Sequence, residues 1–394
     1  MKLVLISSLY SPHTHGGAER VAQGLAEGLA AQGHSVDVIT LGKPEDPAEG
    51  ELNGVRFHRV PLRNLYWPFP VARASFPAKV AWHARDANNA AMAHSVGALL
   101  DRIRPQVVNT HNLAGFSAAV WKAAADRSRP LVHTLHDHYL LCPYSTMFRD
   151  DRNCVRPCLR CRIATVPRRG LARHVGAVIG VSRYILDRHR EEGLFSGAVA
   201  SVVYNGFRAT ACEPALRTPG EPLRVGFLGT LAPHKGLDRL IDAFLALPAG
   251  AAELSIGGTG DVSYETSLKA RSASRPDIRW MGRVRAEVFL AQLDVLVVPS
   301  LCNEAMGLVA VEAMAQGLPV VAARRGGLAE LVRDDCGWLY DPDDRARLPA
   351  ILGEIIARRD ALEPLRAAAR GVARSFSVEA MLSGYLAAYE TVLA

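Results

Sequence analysis

Short apolar segments alternate with amphipathic segments of helical length along the first half of the chain, and polar turns rich in Gly, Ser, Pro and His separate them. Short apolar runs predict strands, whereas apolar residues that recur every three or four positions predict helices. The predicted strands of this half cover residues 2–7, 34–40, 55–60, 107–109, 131–135, 177–181 and 201–204. The predicted helical segments include residues 18–32 and a long stretch over 78–102. This alternation indicates a parallel sheet with helices on both faces.

A second alternation begins at residue 223, after a stretch without periodicity at 208–222. Its predicted strands cover residues 223–229, 253–256, 278–281, 295–299 and 319–323. The pattern predicts an α/β protein with two Rossmann-like domains, residues 1–207 and 208–377, facing each other across a central cleft, where ligands commonly bind. An amphipathic helix at 378–394 follows the second domain.

The bulk composition narrows the class of protein. Of 394 residues, 49% are hydrophobic and 22% are charged, as in soluble globular proteins, and no apolar run approaches the roughly 18 residues of a membrane-spanning helix. Residues 1–8 predict a first strand rather than a signal peptide, so we expect a cytoplasmic protein. The net charge of +7 favours anionic partners such as nucleotide diphosphates or lipid head groups. Nucleic acid is not expected, because the sequence carries no recognition motif for it.

Two carboxylates, Glu304 and Glu312, lie in an otherwise apolar segment. Burial of a carboxylate is costly unless it is paired or hydrogen-bonded, so the pair indicates a ligand site. At about 100° per residue, positions eight apart on one helix diverge by about 80°. We therefore predict that Glu304 lies in a loop, that a helix begins near Gly307 and that Glu312 lies on it, with the helix ending at Gly317. Such a site suits an anion flanked by hydroxyl groups, as in a nucleotide sugar.

Glycine-containing turns and a histidine set give further candidates. Gly16 and Gly17 precede a predicted helix. Two glycines there allow a ligand to approach the backbone and the helix N-terminus closely, but they are also explained by a flexible turn between strand and helix. Lys235 stands before a glycine after a strand and can neutralise a diphosphate, or it can be an ordinary surface lysine. His111 follows one predicted strand, and residues 136–138, His-Asp-His, follow another. Ligands of open α/β sheets bind at such strand ends, although a lone histidine is more often structural.

Together these segments resemble the GT-B glycosyltransferases of the large retaining family four, the glycosyltransferase group 1 proteins. The resemblance runs over nearly the whole chain and is carried by the segments around Gly16-Gly17, His111, His136-Asp137, 178–182, 203–206, 228–236 and Glu304 to Glu312. It implies the GT-B fold, with the final helix crossing back to the first domain. It also implies a nucleotide-diphospho-sugar donor, UDP- or GDP-linked, and a glycan or lipid-linked acceptor.

The resemblance assigns roles to individual positions. The implied catalytic residues are His111, Glu304 and Lys235. The implied donor-binding residues are Gly16, Gly17, Thr230, Lys235, Glu304, Gly307, Leu308 and Glu312, with Glu312 on the ribose and Lys235 on the leaving diphosphate. His136 and Asp137 are acceptor-side candidates. The family's route to retention uses the leaving phosphate to deprotonate the acceptor, so it implies neither a carboxylate nucleophile nor a catalytic metal.

One departure from the family pattern concerns the phosphates. The family usually has Arg after the glycine at 229, and this chain has Thr230. Either Lys235 alone holds the phosphates, or another basic residue, such as Arg283 or Arg208, takes the place of the missing arginine. Two rival functions stay open on the sequence: a GT-B nucleotide-sugar epimerase or hydrolase, and a non-catalytic protein that binds sugar nucleotides.

An insert at about 142–173 carries four cysteines, Cys142, Cys154, Cys158 and Cys161. Only the last pair has the short CxxC spacing, so both a structural zinc site and plain reduced thiols stay open, and an iron–sulfur cluster is a weaker alternative. The insert is also rich in arginine, at positions 149, 152, 156, 160, 162, 168, 169 and 173. We predict that these arginines form a surface for an anionic membrane or a lipid diphosphate, at the inner face of the cytoplasmic membrane. The expected pathway is synthesis of a surface polysaccharide or glycolipid.

Overall fold

The computed structural model describes residues 1–13, 16–69, 74–207, 218 and 220–394. It divides the chain into two compact units. The first unit contains Met1–Met147, Cys154–Gly206 and Val378–Ala394, and the second contains Phe148–Asn153 and Phe207–Ser377. Within the described residues, no helix is both long enough and apolar enough to cross a membrane.

The first unit is built on a parallel sheet with one antiparallel edge strand. Its strands are β1 (Lys2–Ile6), β2 (Ser35–Gly42), β3 (Glu49–Leu52), β4 (Val55–Pro61), β5 (Val107–Thr110), β6 (Leu131–Leu135), β9 (Ala177–Gly180) and β10 (Val199–Val202). Their order is β10-β9-β6-β5-β1-β2-β4-β3, and only β3 runs antiparallel to its neighbour. Its helices are α1 (Gly17–Ala31), α2 (Phe76–Ala87), α3 (Ala90–Ile103), α4 (Ala119–Ala125), α5 (Leu159–Leu171) and α6 (Arg183–Arg190). The strands β7 and β8 form a separate hairpin, which is described below.

The second unit has a fully parallel sheet in the described residues. Its strands are β11 (Leu223–Leu228), β12 (Ala252–Gly257), β13 (Ile278–Gly282), β14 (Val295–Val298), β15 (Val320–Ala323) and β16 (Gly337–Tyr340), in the order β13-β12-β11-β14-β15-β16. Its helices are α7 (Leu237–Leu245), α8 (Val262–Arg271), α9 (Ala286–Leu290), α10 (Leu308–Ala315), α11 (Leu328–Leu331), α12 (Arg347–Ala357) and α13 (Glu363–Ala373). β-branched and aromatic side chains such as Val225, Val321 and Phe244 fill the core between sheet and helices.

The final helix, α14 (Val378–Leu393), belongs to the first unit, as the fold prediction expected. It packs closely on α1, because a Cβ atom on Gly28 would come within 2.9 Å of the Leu382 side chain. Asn109 of β5 also donates a hydrogen bond from Nδ2 to the Tyr389 hydroxyl at 2.8 Å. Buried apolar contacts and a satisfied buried amide thus hold the C-terminal helix on the first sheet.

The helical stretch predicted over 78–102 is confirmed, but the structure divides it into two helices, α2 and α3. Asn88 leaves the helical region with φ −153° and ψ 86°, and Asn89 caps α3 by accepting a hydrogen bond from the Met92 amide at 3.2 Å. Asparagine favours such caps because its short side chain replaces an intrahelical acceptor. The strands β3 and β16 were also missed, because neither is a fully buried apolar run: β3 is mostly polar and exposed, and the two central residues of β16 are only partly buried.

A short hairpin from the cysteine-rich insert lies in the second unit, although the insert was predicted to belong wholly to the first domain. Its strands are β7 (Phe148–Arg149) and β8 (Arg152–Asn153). The Asn153 side chain donates to the Leu301 carbonyl at 2.7 Å and accepts from the Asn303 amide at 2.8 Å. The Phe148 ring lies 6.4 Å from the His234 ring, between centroids. These contacts attach the hairpin to the loop that follows β14 and to the turn at Pro233–Lys235.

Candidate functional site

The loop after β14 carries a carboxylate that is paired with a lysine from the turn before α7. Lys235 Nζ donates a hydrogen bond to Glu304 Oε1 at 2.6 Å, and Ser300 Oγ donates to the same oxygen at 2.6 Å. The two charged side chains are largely covered, with exposed fractions of 27% for Lys235 and 16% for Glu304. The structure thus brings together two of the predicted catalytic residues and adds Ser300, which the sequence did not reveal.

Both members of this pair stay charged. Burial alone raises the pKa of Glu304, but the charge of Lys235 and hydrogen bonds from Lys235 and Ser300 outweigh that effect and lower the pKa. Burial lowers the pKa of Lys235, and the charge of Glu304 more than compensates, so the net shift is upward. A charged hydrogen-bonded pair of this kind offers a fixed cation for a phosphate and a fixed acceptor for a hydroxyl group.

A glycine allows Lys235 to approach the β14 loop. Gly236 has φ +70°, and a Cβ atom there would come within 2.0 Å of the Pro299 carbonyl oxygen. The His234 carbonyl accepts hydrogen bonds from the amides of Leu301 and Cys302 at 2.9 and 3.2 Å. Any larger residue at 236 would force the two loops apart, so the lysine–glycine order is required by the close backbone approach.

The helix α10 begins directly after the Glu304 loop, as predicted. Gly307 precedes it with φ +98°, a left-handed conformation that favours glycine. The Glu304 carbonyl accepts from the Gly327 amide at 2.8 Å, which fixes the loop on the turn after β15. The first backbone amides of α10, beginning at Leu308, have no acceptors within the helix and lie at the positive end of its dipole. Glu312 lies one turn further along α10 and is 2% exposed.

Thr230 follows β11 and is exposed, next to a second glycine-rich loop, residues 257–260, which is not among the predicted site residues. The Leu231 amide donates to the Thr259 carbonyl at 3.1 Å, and a Cβ atom on Gly258 would come within 1.8 Å of the Gly229 carbonyl oxygen. This loop could have been found from the sequence by the two glycines that follow β12, Gly258 and Gly260. Of the two proposed substitute bases, Arg283 is exposed in the turn after β13, and Arg208 lies outside the described residues.

In the first unit, His111 and His136 meet at the ends of β5 and β6. His111 Nδ1 and His136 Nε2 are 2.9 Å apart, so one nitrogen donates a proton and the other accepts it. Burial lowers the pKa of His136 to about 4 and that of His111 well below its usual value, with the neighbouring histidines adding to the effect on His111. Both rings are therefore neutral at neutral pH. Among the described residues, His111 Nε2 is buried without a hydrogen-bond partner.

Carboxyl groups lie beside this histidine pair. Glu19 closes the start of α1 by accepting from the Gly16 amide at 2.8 Å, and it also accepts from Asn112 Nδ2 at 3.2 Å. Asp137 accepts from the Tyr139 amide at 2.7 Å. Burial raises the pKa of Asp137 to about 6, and the charge of Glu19 contributes to the increase. Gly17 is the first residue of α1. The predicted Gly16-Gly17 turn therefore lies at the start of this helix, where Glu19 caps it.

His138, the third residue of the predicted histidine set, is structural. Its side chain is buried, and its Nε2 lies 3.1 Å from the Tyr184 hydroxyl. Its ring also stacks on His189 at 6.2 Å between centroids. It therefore contributes to the core and not to a ligand site.

The cysteines of the insert come partly together. The sulfur atoms of Cys142 and Cys161 are 3.9 Å apart. Burial raises the pKa of the Cys161 thiol, and the neighbouring Cys142 and Cys158 add to that shift. In the residues that the structure describes, however, no three or more His, Cys, Asp or Glu side chains are grouped so that they could hold a metal ion. Zinc binding by Cys142, Cys154, Cys158 and Cys161 thus stays a prediction from the sequence.

The prediction that the arginines of the insert form a surface for an anionic membrane or a lipid diphosphate is wrong for Arg168. It is fully buried on α5, where its NH2 donates to Asp86 Oδ2 at 2.9 Å and its NH1 to the Tyr139 carbonyl at 3.0 Å. Asp86 also accepts from the Tyr139 hydroxyl and the Gly115 amide, each at 2.7 Å. Burial raises the pKa of Asp86, and the charge of Arg168 opposes that shift. This network fastens the insert to α2 and to the loops after β5 and β6.

The buried histidines predict loss of stability in mild acid. Burial lowers the pKa to about 4 for His136 and His138 and to about 3 for His133 and His189. Between about pH 6.5 and 4 the unfolded chain therefore binds more protons than the folded one, so stability falls as the pH falls. Asp137, with its raised pKa of about 6, works in the opposite direction but is a single group. We expect the free energy of unfolding to drop by about 3 kcal/mol or more from pH 6.5 to 5.

Urea unfolding at several pH values measures this drop. His189→Gln should reduce the slope of stability against pH, because one proton fewer is then taken up on unfolding. An unchanged urea midpoint between pH 7 and 5 would contradict the prediction.

Two protein-family models match the chain. The model described as "Glycosyl transferase 4-like domain" matches residues 16–206, and the model described as "Glycosyl transferases group 1" matches residues 222–358. Among curated proteins, an uncharacterized 42.6 kDa protein in the cps region of Klebsiella pneumoniae is 28% identical over 333 residues, which cover 84% of this chain and 88% of the relative. A D-inositol 3-phosphate glycosyltransferase of Nocardioides sp. is 28% identical over 397 residues, with 92% of this chain and 82% of the relative covered.

Solved structures share the fold over the whole length. Sucrose-phosphate synthase from Thermosynechococcus elongatus has a TM-score of 0.80 at 20% identity, covering 99% of this chain and 98% of that one. Anabaena HepE in complex with UDP-glucose has a TM-score of 0.72 at 21% identity, covering 100% of this chain and 99% of that one. At these identities the likeness concerns the fold alone.

Proposed function

From its membership of the group 1 glycosyltransferases, we propose that the chain is a retaining hexosyltransferase. The chain belongs to this family and has its GT-B fold, which confirms the predicted family and the predicted transferase activity. Its donor is a nucleotide-diphospho-sugar, UDP- or GDP-linked. Its acceptor is a glycan or a lipid-linked sugar of a surface polysaccharide or glycolipid.

The observation that carries this proposal is the Lys235–Glu304–Ser300 group in front of α10. Transfer of a sugar separates charge between an oxocarbenium-like ring and a leaving diphosphate. A fixed ammonium group at Lys235 and the amide end of α10 stabilise the charge that develops on the diphosphate. Glu304 accepts hydrogen bonds from the hydroxyl groups of the donor sugar, and Glu312 from those of the ribose.

The first unit supplies the groups proposed for the acceptor. Because His111 and His136 are neutral, they can exchange hydrogen bonds with a hydroxyl group without carrying a net charge. Nε2 of His111, buried without a partner among the described residues, is the nitrogen that such a hydroxyl would satisfy. With Thr230 in place of a second cation, Lys235 is the principal charge that balances the leaving group.

Binding of the donor tests the proposal directly. In a thermal-shift panel of UDP-, GDP- and ADP-sugars, one donor at 100 times its dissociation constant should stabilise the protein by about 2.7 kcal/mol. The Glu304→Ala variant should lose the preference for the nucleotide sugar over the free nucleotide, because Glu304 is proposed to contact the sugar. The control Glu265→Ala alters an exposed surface pair and should behave as wild type. The absence of a shift with every nucleotide sugar would contradict the proposal.

We also propose that the first unit binds the surface of an anionic membrane, where a lipid-linked acceptor would be presented. The helices α2 and α5 pack against each other and both expose apolar side chains. Leu159, Ile163 and Val166 follow one face of α5 and are 62–72% exposed, with Phe76 on α2 at 69%. Arg156, Arg160 and Arg162 are exposed around this face. Apolar side chains beside arginines suit the interface of a membrane that contains anionic lipids.

Vesicle sedimentation checks this membrane proposal. With vesicles that contain anionic phosphatidylglycerol, Arg156→Ala/Arg160→Ala/Arg162→Ala should bind about 100-fold more weakly, at about 1 kcal/mol for each arginine near the surface. Ile163→Glu should also weaken binding, whereas the control Val262→Glu alters an exposed valine of the second unit and should not. A deletion of the whole insert is unsuitable, because it would remove the buried Arg168. Equal binding by the wild type and the triple variant would contradict the proposal.

A further inference from the structure

A polar cavity of about 450 Å³ lies in the second unit, apart from the residues proposed for the donor. The hairpin β7–β8, the loop after β14 and the loop at 342–345 line it, together with side chains from α7 and from the turn after β15. Lys235, Glu304 and Glu312 are not among its lining residues. The cavity therefore has the size of a small-molecule site and a separate lining.

Arginines dominate this lining. Arg152, Arg239, Arg325 and Arg345 reach the cavity, against the carboxylates of Asp151 and Asp343. Two of the four are paired with carboxylates: Arg325 with Asp343 at 2.6 Å, and Arg239 with Asp238 at 3.5 Å. Arg152 and Arg345 are exposed and have no carboxylate within ion-pair distance in the described part of the chain. The cavity therefore keeps a positive excess.

Hydrogen bonds within the protein hold the hairpin β7–β8 and the loop after β14 in place beside these arginines. Asn153 and Asn303 also line the cavity, and the hydrogen bond of 2.8 Å between them holds the hairpin on the β14 loop. Two sides of the cavity are thereby set before a ligand arrives, which lowers the ordering cost of binding.

We propose that this cavity is a second binding site of the protein, and that it takes a phosphate group carried by a small sugar. Guanidinium groups bind phosphate oxygens through paired N–H donors, and several of them around one space suit a dianionic group better than a single carboxylate. The side-chain amide of Asn303, which also lines the cavity, suits a hydroxyl group of the sugar. Since Asn303 precedes Glu304 in the same loop, the cavity shares that loop with the proposed donor group, although Glu304 itself does not line it. The site does not depend on the proposed catalytic function.

Thermal unfolding of the full-length chain with three probes tests this site. The probes are glucose 6-phosphate, inorganic phosphate and glucose, at equal ionic strength set with chloride, since screening alone changes surface electrostatics. At about ten times its dissociation constant, glucose 6-phosphate should raise the Tm of the wild type by about 3 °C, whereas glucose should not. An equal shift with inorganic phosphate would show that the phosphate group alone is recognised.

The variant Arg152→Ala/Arg345→Ala removes two exposed charges and should lose most of the shift, to below about 1 °C, with its Tm in buffer unchanged. Its matched control, Arg347→Ala, removes an arginine two positions further on that pairs with Glu354 at 3.0 Å and does not line the cavity. The control should keep the full shift. The proposal is overturned if the wild type shows no shift with either phosphate probe, or if the double variant shifts as much as the control. Because these probes lack a nucleotide, this result is independent of the donor panel.

Discussion

Lys235→Ala is expected to lower kcat for sugar transfer by about 100- to 1000-fold, the effect of removing one preorganised group that stabilises charge in a transition state. Lys235 is the charge closest to Glu304, at 2.6 Å, and Thr230 offers no second cation beside it. Its positive charge is most valuable when the diphosphate leaves, so kcat should fall more than KM rises. Steady-state kinetics with the donor found in the panel measures the effect.

Two variants separate this role from a structural one. Lys235→Ala leaves Glu304 without its counter-charge, and the pKa of Glu304 should then rise. Lys235→Met/Glu304→Gln removes both charges and should restore stability but not turnover. Lys269→Ala removes an exposed lysine that pairs with Glu265 at 2.7 Å, and it should keep wild-type kinetics. Wild-type kcat in Lys235→Ala would rule out the proposed role of the lysine.

Arg168→Ala is expected to destabilise the first unit by about 3–5 kcal/mol. It removes one partner of a buried ion pair, which leaves the Asp86 charge uncompensated. It also removes the stacking of the guanidinium on the Tyr139 ring, 3.9 Å from its centroid. Because Arg168, Asp86 and Tyr139 all belong to the first unit, we expect the urea transition of that unit to move and that of the second unit to stay unchanged.

Arg173→Ala provides the matched control for this variant. Arg173 is exposed on the same insert, and within the described part of the chain its side chain donates only to the Gly170 carbonyl, at 2.8 Å. Its removal should therefore change stability by no more than about 0.5 kcal/mol. Asp86→Ala should be as damaging as Arg168→Ala, since it orphans Arg168 together with the Tyr139 hydroxyl and the Gly115 amide. Similar stabilities for Arg168→Ala and Arg173→Ala would show that the buried network contributes little.

The Glu304/Glu312 region shows what periodicity could predict. The divergence of two positions eight apart on a helix excludes a common helix face, and the structure places Glu304 before α10 and Glu312 on it. The alternation of strands and helices likewise predicted both parallel sheets, because apolar strands and amphipathic helices each carry their own period. The break between α2 and α3 had a signal as well, in the two asparagines at 88 and 89.

Contacts between distant parts of the chain had no such signal. Lys235 and Glu304 are 69 positions apart, and neither segment indicates that the lysine would pair with the carboxylate. The arginines of the insert look alike in sequence, yet Arg168 is buried while Arg160 and Arg162 are exposed, because only Arg168 faces Asp86. The hairpin strands have two residues each, too few for any period to be detected.

That hairpin has a consequence for the construction of chimeras. A chimera of two such enzymes can be made by exchanging one domain, with a single junction placed in the linker between the domains, here near residue 207. Such a junction would keep residues 148–153 with the first domain and present Asn153 to a foreign loop in place of Leu301 and Asn303. The exchangeable part is therefore discontinuous. A chimera that transfers 148–153 together with 207–377 keeps both of the Asn153 hydrogen bonds, and one that is cut once does not.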